Sequence, residues 1–416
     1  MPGENPTQIT APVISIQSDW DDVIRRPNTE VWVACKFRGQ PSSQGKIYSQ
    51  GLSSEGIPRV TTTDGFSVHG ISRNTIQVNH ESGNICIFVA PFSTFTGIHS
   101  KSVKSLDATS GDLCVSVCTE NKLQIWDTRQ GLLRRTLEGH LGDVYKCRFF
   151  PSGLVVLSGS ADMQLKIWSA ETGQCPVTLR GHTAAVTDMC IVDKGRNIIS
   201  VSKDGTAKLW SCGEASCLAT LVELGTTINS CCLGVANNKM QLAAPEENPS
   251  EHEVGTENKI LLLGCEDGTV HCLAVRGRQN LFSKSHSSAV NCVTILSVDN
   301  FVIGCQDGQI LLYDFEKPTE PVYCWYESNS AALCLLPFKE AGFFIGKADG
   351  SCVYHQLPAR NSHERCHNVR VQLTGPDCDP VYDISFDGTY VYTSCRDAAV
   401  RKYDMLKTVS SLGSVD

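Results

Sequence analysis

Residues 137–169 read LEGHLGDVYKCRFFPSGLVVLSGSADMQLKIWS, and this stretch decides the fold. An apolar-rich run at 144–149 is followed by the turn Pro-Ser-Gly. A second run, LVVLSGS, leads through a turn containing Asp162 to a third, QLKIW. Short runs of β-branched and apolar residues punctuated by Gly, Pro and Asp read as strands joined by tight turns. The acid stands six positions before Trp168, the ring that ends the third run. The same pairing recurs as Glu120/Trp126, Asp204/Trp210, Asp267/Leu273, Asp307/Tyr313, Asp349/His355 and Asp397/Tyr403. Successive acids lie 42, 42, 63, 40, 42 and 48 residues apart. A period of this length marks a repeated small sheet that cannot bury both faces alone and must stack on its neighbours.

The rest of the chain is ordinary in composition. Hydrophobic residues make up 41% and charged residues 19% of its 416 residues, values of a globular protein. A net charge of −8 argues against nonspecific binding to nucleic-acid phosphates, which needs a basic surface. No apolar run approaches the ~18 residues that span a bilayer, so no membrane contact is expected. The opening residues, MPGENPTQIT, have neither a basic start nor an apolar core, and 21 cysteines lack the context of a secreted disulfide framework. An intracellular protein with reduced thiols, in the cytoplasm and nucleus, is therefore expected. Two positions before the repeat acid stand Cys118, Ser160, Ser202, Cys265, Cys305 and Cys395, one small-residue site that only Lys347 breaks.

These repeats resemble the WD40 repeat. The expected fold is all-β, a seven-bladed WD40 β-propeller with a small β-rich N-terminal domain. Residues 1–83 are read as an N-terminal arm (1–15) and a small β-rich domain, 84–404 as the propeller and 405–416 as a C-terminal tail. Within 16–83, strands are expected at Glu30–Phe37, Gly45–Gln50 and Thr75–Asn79, with a short helix at Asp19–Arg25 capped by Ser18. His99 precedes Val103 by the interval that separates His140 from Val144, so His99 opens the first blade. The apolar segment 85–95 is expected to supply the outer strand of the seventh blade and close the ring. The insertion Asn237–Lys259, with five glutamates and two prolines, reads as an exposed acidic loop.

His140, Ser158, Asp162 and Trp168 together suggest a hydrolase triad, and His182, Ser200, Asp204 and Trp210 repeat the set. His99, Ser116, Glu120 and Trp126 are a weaker third copy. A catalytic triad occurs once and needs an exposed nucleophile. Copies in one register instead predict a structural hydrogen-bond chain from acid to His to hydroxyl to indole. Later blades lose it: Leu263, Ile303 and Ile345 replace the strand-b hydroxyl, while Thr393 retains it. No phosphate loop, nucleophile elbow or HExxH pair is present, so no enzyme activity, cofactor or metal is expected. His363, Cys366 and His367 share a basic insertion at 358–370 but lack a fourth zinc ligand.

Protein binding is expected on the face carrying the d–a and b–c loops. Lys104, Asp143, Tyr145, Lys203, Glu266, Gln306, Tyr382 and Arg396 are the candidates, with Tyr145, Tyr382 and Arg396 first because aromatic and Arg side chains anchor interfaces. The WDxR run Trp126–Arg129 resembles the box by which some WD40 proteins dock on cullin–RING ubiquitin ligases, and supports a substrate receptor as the alternative reading.

The segments CRFFPSGLVVLSGS (147–160), QLKIWSAE (164–171), IVDKGRNIIS (191–200), DGTAKLWSCG (204–213), PSEHEVGTE (249–257) and LTGPDCDPVYDIS (373–385) resemble the family of proteasomal ATPase-associated factors. IQSDW (16–20) and EGIPRVTTTDGF (55–66) extend the resemblance to the N-terminal region. It implies an assembly chaperone of the proteasome regulatory particle, monomeric when free. Such a protein binds the C-terminal regions of AAA-ATPase subunits of the base and holds back premature docking on the core particle.

Overall fold

Seven antiparallel units of four strands follow one another in the order of the repeats, and those of blades five and six carry further strands on their outer edges. The computed structural model describes residues 7–9, 12–37, 39–245, 248–339, 341–357 and 369–405, and all counts refer to these. Blade two illustrates the unit: strand a at Val144–Phe149, b at Val155–Ser160, c at Gln164–Ser169 and d at Val177–Arg180. The innermost strands begin at Val103, Val144, Val186, Ile228, Val290, Ala332 and Val381. Each touches the innermost strand of the next blade, and the seventh touches the first, so the sheets close into a propeller. Burial of both sheet faces explains why strands such as Asn197–Ser202 are buried throughout rather than alternating.

Closure differs in detail from the expectation for 85–95. Ser93–Phe95 pairs with Val400–Asp404 and completes blade seven, but Ile85–Val89 runs parallel to Val369–Leu373 and extends blade six. Pro91 separates the two pieces, and the Phe92 amide donates to the Lys402 carbonyl at 2.7 Å. Thr75–His80 and Phe66–Ile71 continue the extension, giving blade six a seven-stranded sheet.

Val13–Ile16, Glu30–Lys36, Ser43–Leu52 and Pro58–Thr62 form a separate antiparallel sheet that shares a core with the extension. The helix is shorter than expected, Trp20–Val23, and its N-cap is Asp19 without a side-chain cap bond, not Ser18. Trp20 is wholly buried and its indole donates to Thr374 Oγ1 at 2.9 Å, which ties this unit to the connection between blades six and seven. The region read as a loose arm is partly ordered: Thr7–Ile9 lies parallel to Pro321–Tyr326 on the edge of blade five, and Val13–Ile16 belongs to the small sheet. Covering open sheet edges in this way removes templates for unwanted pairing.

The long insertion is largely exposed, as expected, but is anchored at two buried residues. It joins strands a and b of blade four, and Glu253 and Thr256 are buried rather than solvated. Glu253 is paired with Arg278 and accepts from Thr256 Oγ1 at 2.7 Å. Asn197 of blade three donates to the His252 carbonyl at 3.0 Å and accepts from the Val254 amide at 2.6 Å. His363, Cys366 and His367 lie outside the described residues.

Candidate functional site: the loop face of the propeller

Every blade carries the same irregularity. Register slips by one residue between the first and third positions of strand a, between Val103/Ser105, Val144/Lys146, Val186/Asp188, Ile228/Ser230, Val290/Cys292, Ala332/Cys334 and Val381/Asp383. A bulge inserts an unpaired residue and re-aims its side chain. The bulged residues are Lys104, Tyr145, Thr187, Asn229, Asn291, Leu333 and Tyr382, at the end of the blade where the b–c turns lie.

Two kinds of contact grow from them. In blades seven to three they are cationic and aromatic: Lys104 Nζ lies 3.6 Å from the Tyr382 ring centre and Lys203 Nζ 5.6 Å from that of Tyr145. In blades three to five they are polar latches to the next blade. Thr187 Oγ1 donates to the Ile228 carbonyl at 2.6 Å, Asn229 Nδ2 to that of Val290 at 3.1 Å and Asn291 Nδ2 to that of Ala332 at 2.9 Å. The same amides donate to Glu266 Oε2 (2.8 Å) and Gln306 Oε1 (2.7 Å). Arg396 is exposed and donates to Asp379 at 2.7 Å, while Asp143 is exposed and accepts through its carbonyl from the Ala161 amide at 2.7 Å. The eight sequence candidates thus sit at strand-a starts and neighbouring turns. Lys104 joins Tyr382 and Tyr145 joins Lys203, whereas Glu266 and Gln306 are each held by an asparagine of their own blade.

The polar chains lie just beneath. His140 Nδ1 donates to Asp162 at 2.8 Å, the Ser158 hydroxyl donates to Nε2 at 2.7 Å, and Trp168 Nε1 donates to Ser158 at 2.8 Å. His182, Asp204, Ser200 and Trp210 repeat this at 2.9, 2.7 and 2.8 Å. Burial lowers the affinity of both imidazoles for a proton and the paired carboxylates only partly offset it. Asp204 is held down to about 2, since Thr206 and the Thr183 amide outweigh burial. Each hydroxyl is buried and already engaged by both ring systems, so it has no approach for a substrate.

Blade one departs from the expected set. Ser116 still joins His99 (2.7 Å) and Trp126 (2.9 Å), but Glu120 turns outward to Ser100 and Lys122, and His99 Nδ1 has no partner among the described residues. Burial pushes the His99 imidazole down to about 4. Blade five substitutes a different chain: Ile303 removes the serine, and the Tyr313 hydroxyl itself meets His286 Nε2 at 2.8 Å. Arg129 of the WDxR run is exposed and ion-paired with Asp112.

A second polar centre was not foreseen. Asp383 of blade seven accepts from Ser105 at 2.7 Å, Lys146 at 3.1 Å and Arg148 at 3.0 Å, joining blades seven, one and two at the innermost strands. Burial raises its carboxyl, but Arg148 and then Lys146 hold it well below the ordinary carboxylate range. Charged or polar residues at alternate positions of strand a, Lys146 and Arg148 or Asp383 and Ser385, were the available signal.

The WD domain, G-beta repeat family matches residues 131–169, 173–211 and 278–314. These are the segments ending near Trp168, Trp210 and Tyr313, where a histidine reaches the closing ring directly or through serine. The human protein named "Proteasomal ATPase-associated factor 1" is 48% identical over 394 residues, covering 94% of this chain and 98% of its own length. Its Gallus gallus namesake is 46% identical, covering 95% and 99%. A Dictyostelium discoideum protein named "Probable proteasomal ATPase-associated factor 1" is 32% identical, covering 96% and 97%. With identity spread over nearly the full length of these relatives, the chain belongs to the proteasomal ATPase-associated factor 1 family.

Proposed function

We propose that this chain is a non-catalytic chaperone for assembly of the 26S proteasome regulatory particle. It binds C-terminal regions of AAA-ATPase base subunits through its loop face and restrains their premature association with the core particle. The observation that carries this reading is the near full-length similarity to relatives whose name associates them with proteasomal ATPases. The bulged strand starts support the choice of face. They place Tyr145 and Tyr382 beside Lys203 and Lys104, a pre-ordered pair of aromatic–cation contacts that needs little further ordering on binding. A net charge of −8 suits a basic partner surface and speeds encounter at low salt. Occupying an ATPase C-terminal region would block the surface that must meet the core particle.

Affinity purification of the full chain at moderate salt, read by mass spectrometry, tests the partner. Base ATPase subunits without core-particle subunits are expected. Recovery of core particle together with the ATPases would contradict the restraining role, and absence of ATPases would contradict the partner.

A further inference from the structure

Cys190 and Cys231 sit on the innermost strands of blades three and four, Val186–Val192 and Ile228–Val235. Their sulfurs lie 3.4 Å apart, and both thiols are free. The approach is held in place by neighbouring groups. Asp188 Oδ2 accepts from the Cys231 amide at 3.0 Å and from Ser230 Oγ at 3.0 Å, which clamps one strand on the other. Cys190 Sγ also lies 3.6 Å from the Cys231 carbonyl. The adjacent Cys232 is turned toward blade five, where its sulfur accepts from the Ile295 amide at 3.4 Å. Cys190 is partly exposed, whereas Cys231 is buried.

We propose that Cys190 and Cys231 are a modification site at which peroxide forms a reversible disulfide stapling blade three to blade four. The Cys190 thiolate attacks hydrogen peroxide, forming an S–O bond as the O–O bond breaks; hydroxide leaves and takes a proton as water. The Cys231 sulfur then attacks the sulfenic sulfur. An S–S bond forms, the S–O bond breaks, and the departing hydroxide leaves as water with the proton of Cys231. Two thiols are oxidised and one peroxide is reduced to two waters. Cys190 acts first because it is the less buried of the two residues. The hydrogen bond with Cys190, and then burial, push the Cys231 thiol well above its ordinary range, so it stays a thiol while Cys190 reacts first. Closure requires the sulfurs to move together by rotation about the side chains, between strands already in contact.

The test treats the folded full chain with stoichiometric hydrogen peroxide, blocks remaining thiols by alkylation and maps peptides without reduction. A Cys190–Cys231 cross-link is expected as the main new species, lost on treatment with dithiothreitol. Cys231→Ser should abolish it and leave Cys190 as a sulfenic acid that dimedone traps. Should that variant fail to fold, the wild-type map alone decides. A map in which both residues remain alkylatable while other cysteines oxidise, or in which Cys190 pairs with Cys232, overturns the proposal.

Discussion

Blades two and six solve the same packing problem with unrelated chemistry. Blade two places Gly139, Ser158, Ser160 and Trp168 at four positions that in blade six hold Glu327, Ile345, Lys347 and His355. Gly139 is small because a Cβ there would come within 3.3 Å of Trp168. Replacing the indole by the smaller His355 makes room for Glu327, which accepts from the buried Lys347 at 2.9 Å and pairs with Arg370 at 3.3 Å. Burial raises the Glu327 carboxyl, but Arg370 and Lys347 pull it well below the ordinary range. Blade four takes a third route, with Leu224, Leu263 and Leu273 in place of His, Ser and Trp. Blades six and four replace the members of the polar chain together, whereas blade one keeps His99, Ser116 and Trp126 after Glu120 has turned away. Leaving a single buried hydroxyl unpaired costs about 1–3 kcal/mol, and a charged group more.

The largest loss of stability is expected in blade six. Glu327→Ala strands Lys347 and Arg370 and should cost about 3–5 kcal/mol in denaturant unfolding. Combining Glu327→Gln with Lys347→Met should cost less than the sum of the two single changes. Trp20→Ala, which empties the buried anchor beneath blade six, should cost about 3–5 kcal/mol and expose the N-terminal sheet to early proteolysis. In blade two, Ser158→Ala leaves both His140 and Trp168 short of a partner and should cost about 1–3 kcal/mol. The reverse change in blade four, Leu263→Ser, introduces a hydroxyl with nothing to meet and should also destabilise.

Acid should discriminate blade one from blades two and three. The folded-state value of His99 lies below its unfolded one, so its contribution is complete above about pH 6.5 and is lost as pH falls toward about 4. His140 and His182 shift in the same direction, but Asp162 and Asp204 oppose the change. His99→Gln should therefore flatten the decline of the thermal midpoint between these values more than His140→Gln does. The smallest effect is expected at Arg129→Ala, which breaks only an exposed ion pair and should leave the thermal midpoint unchanged. Loss of binding to a cullin–RING adaptor in that variant would favour the alternative receptor reading.

The repeat, the strand pattern and the polar chains of blades two and three were legible because each rests on local spacing that recurs. The Ser158 and Ser200 hydroxyls could be assigned to their indoles from register alone. Other features were hidden because they depend on contacts distant in sequence. Nothing near Glu120 signals that it turns to Lys122 instead of His99. Nothing near Glu253 signals Arg278, and Pro91 alone hinted that 85–95 serves two blades. The bulge was equally silent: Lys104, Tyr145 and Tyr382 were placed on the loop face by position, but their partners follow from a register slip that composition does not encode.

The proposed function requires that the loop face around Tyr145, Tyr382 and Arg396 receive the ATPase. The direct measurement is the affinity of full-length base ATPase subunits for the full chain and for the variant carrying Tyr145→Glu, Tyr382→Glu and Arg396→Glu, with thermal midpoints recorded in parallel. Weakening by at least about tenfold at an unchanged midpoint is the expected result. Equal affinity for both folded proteins would contradict it.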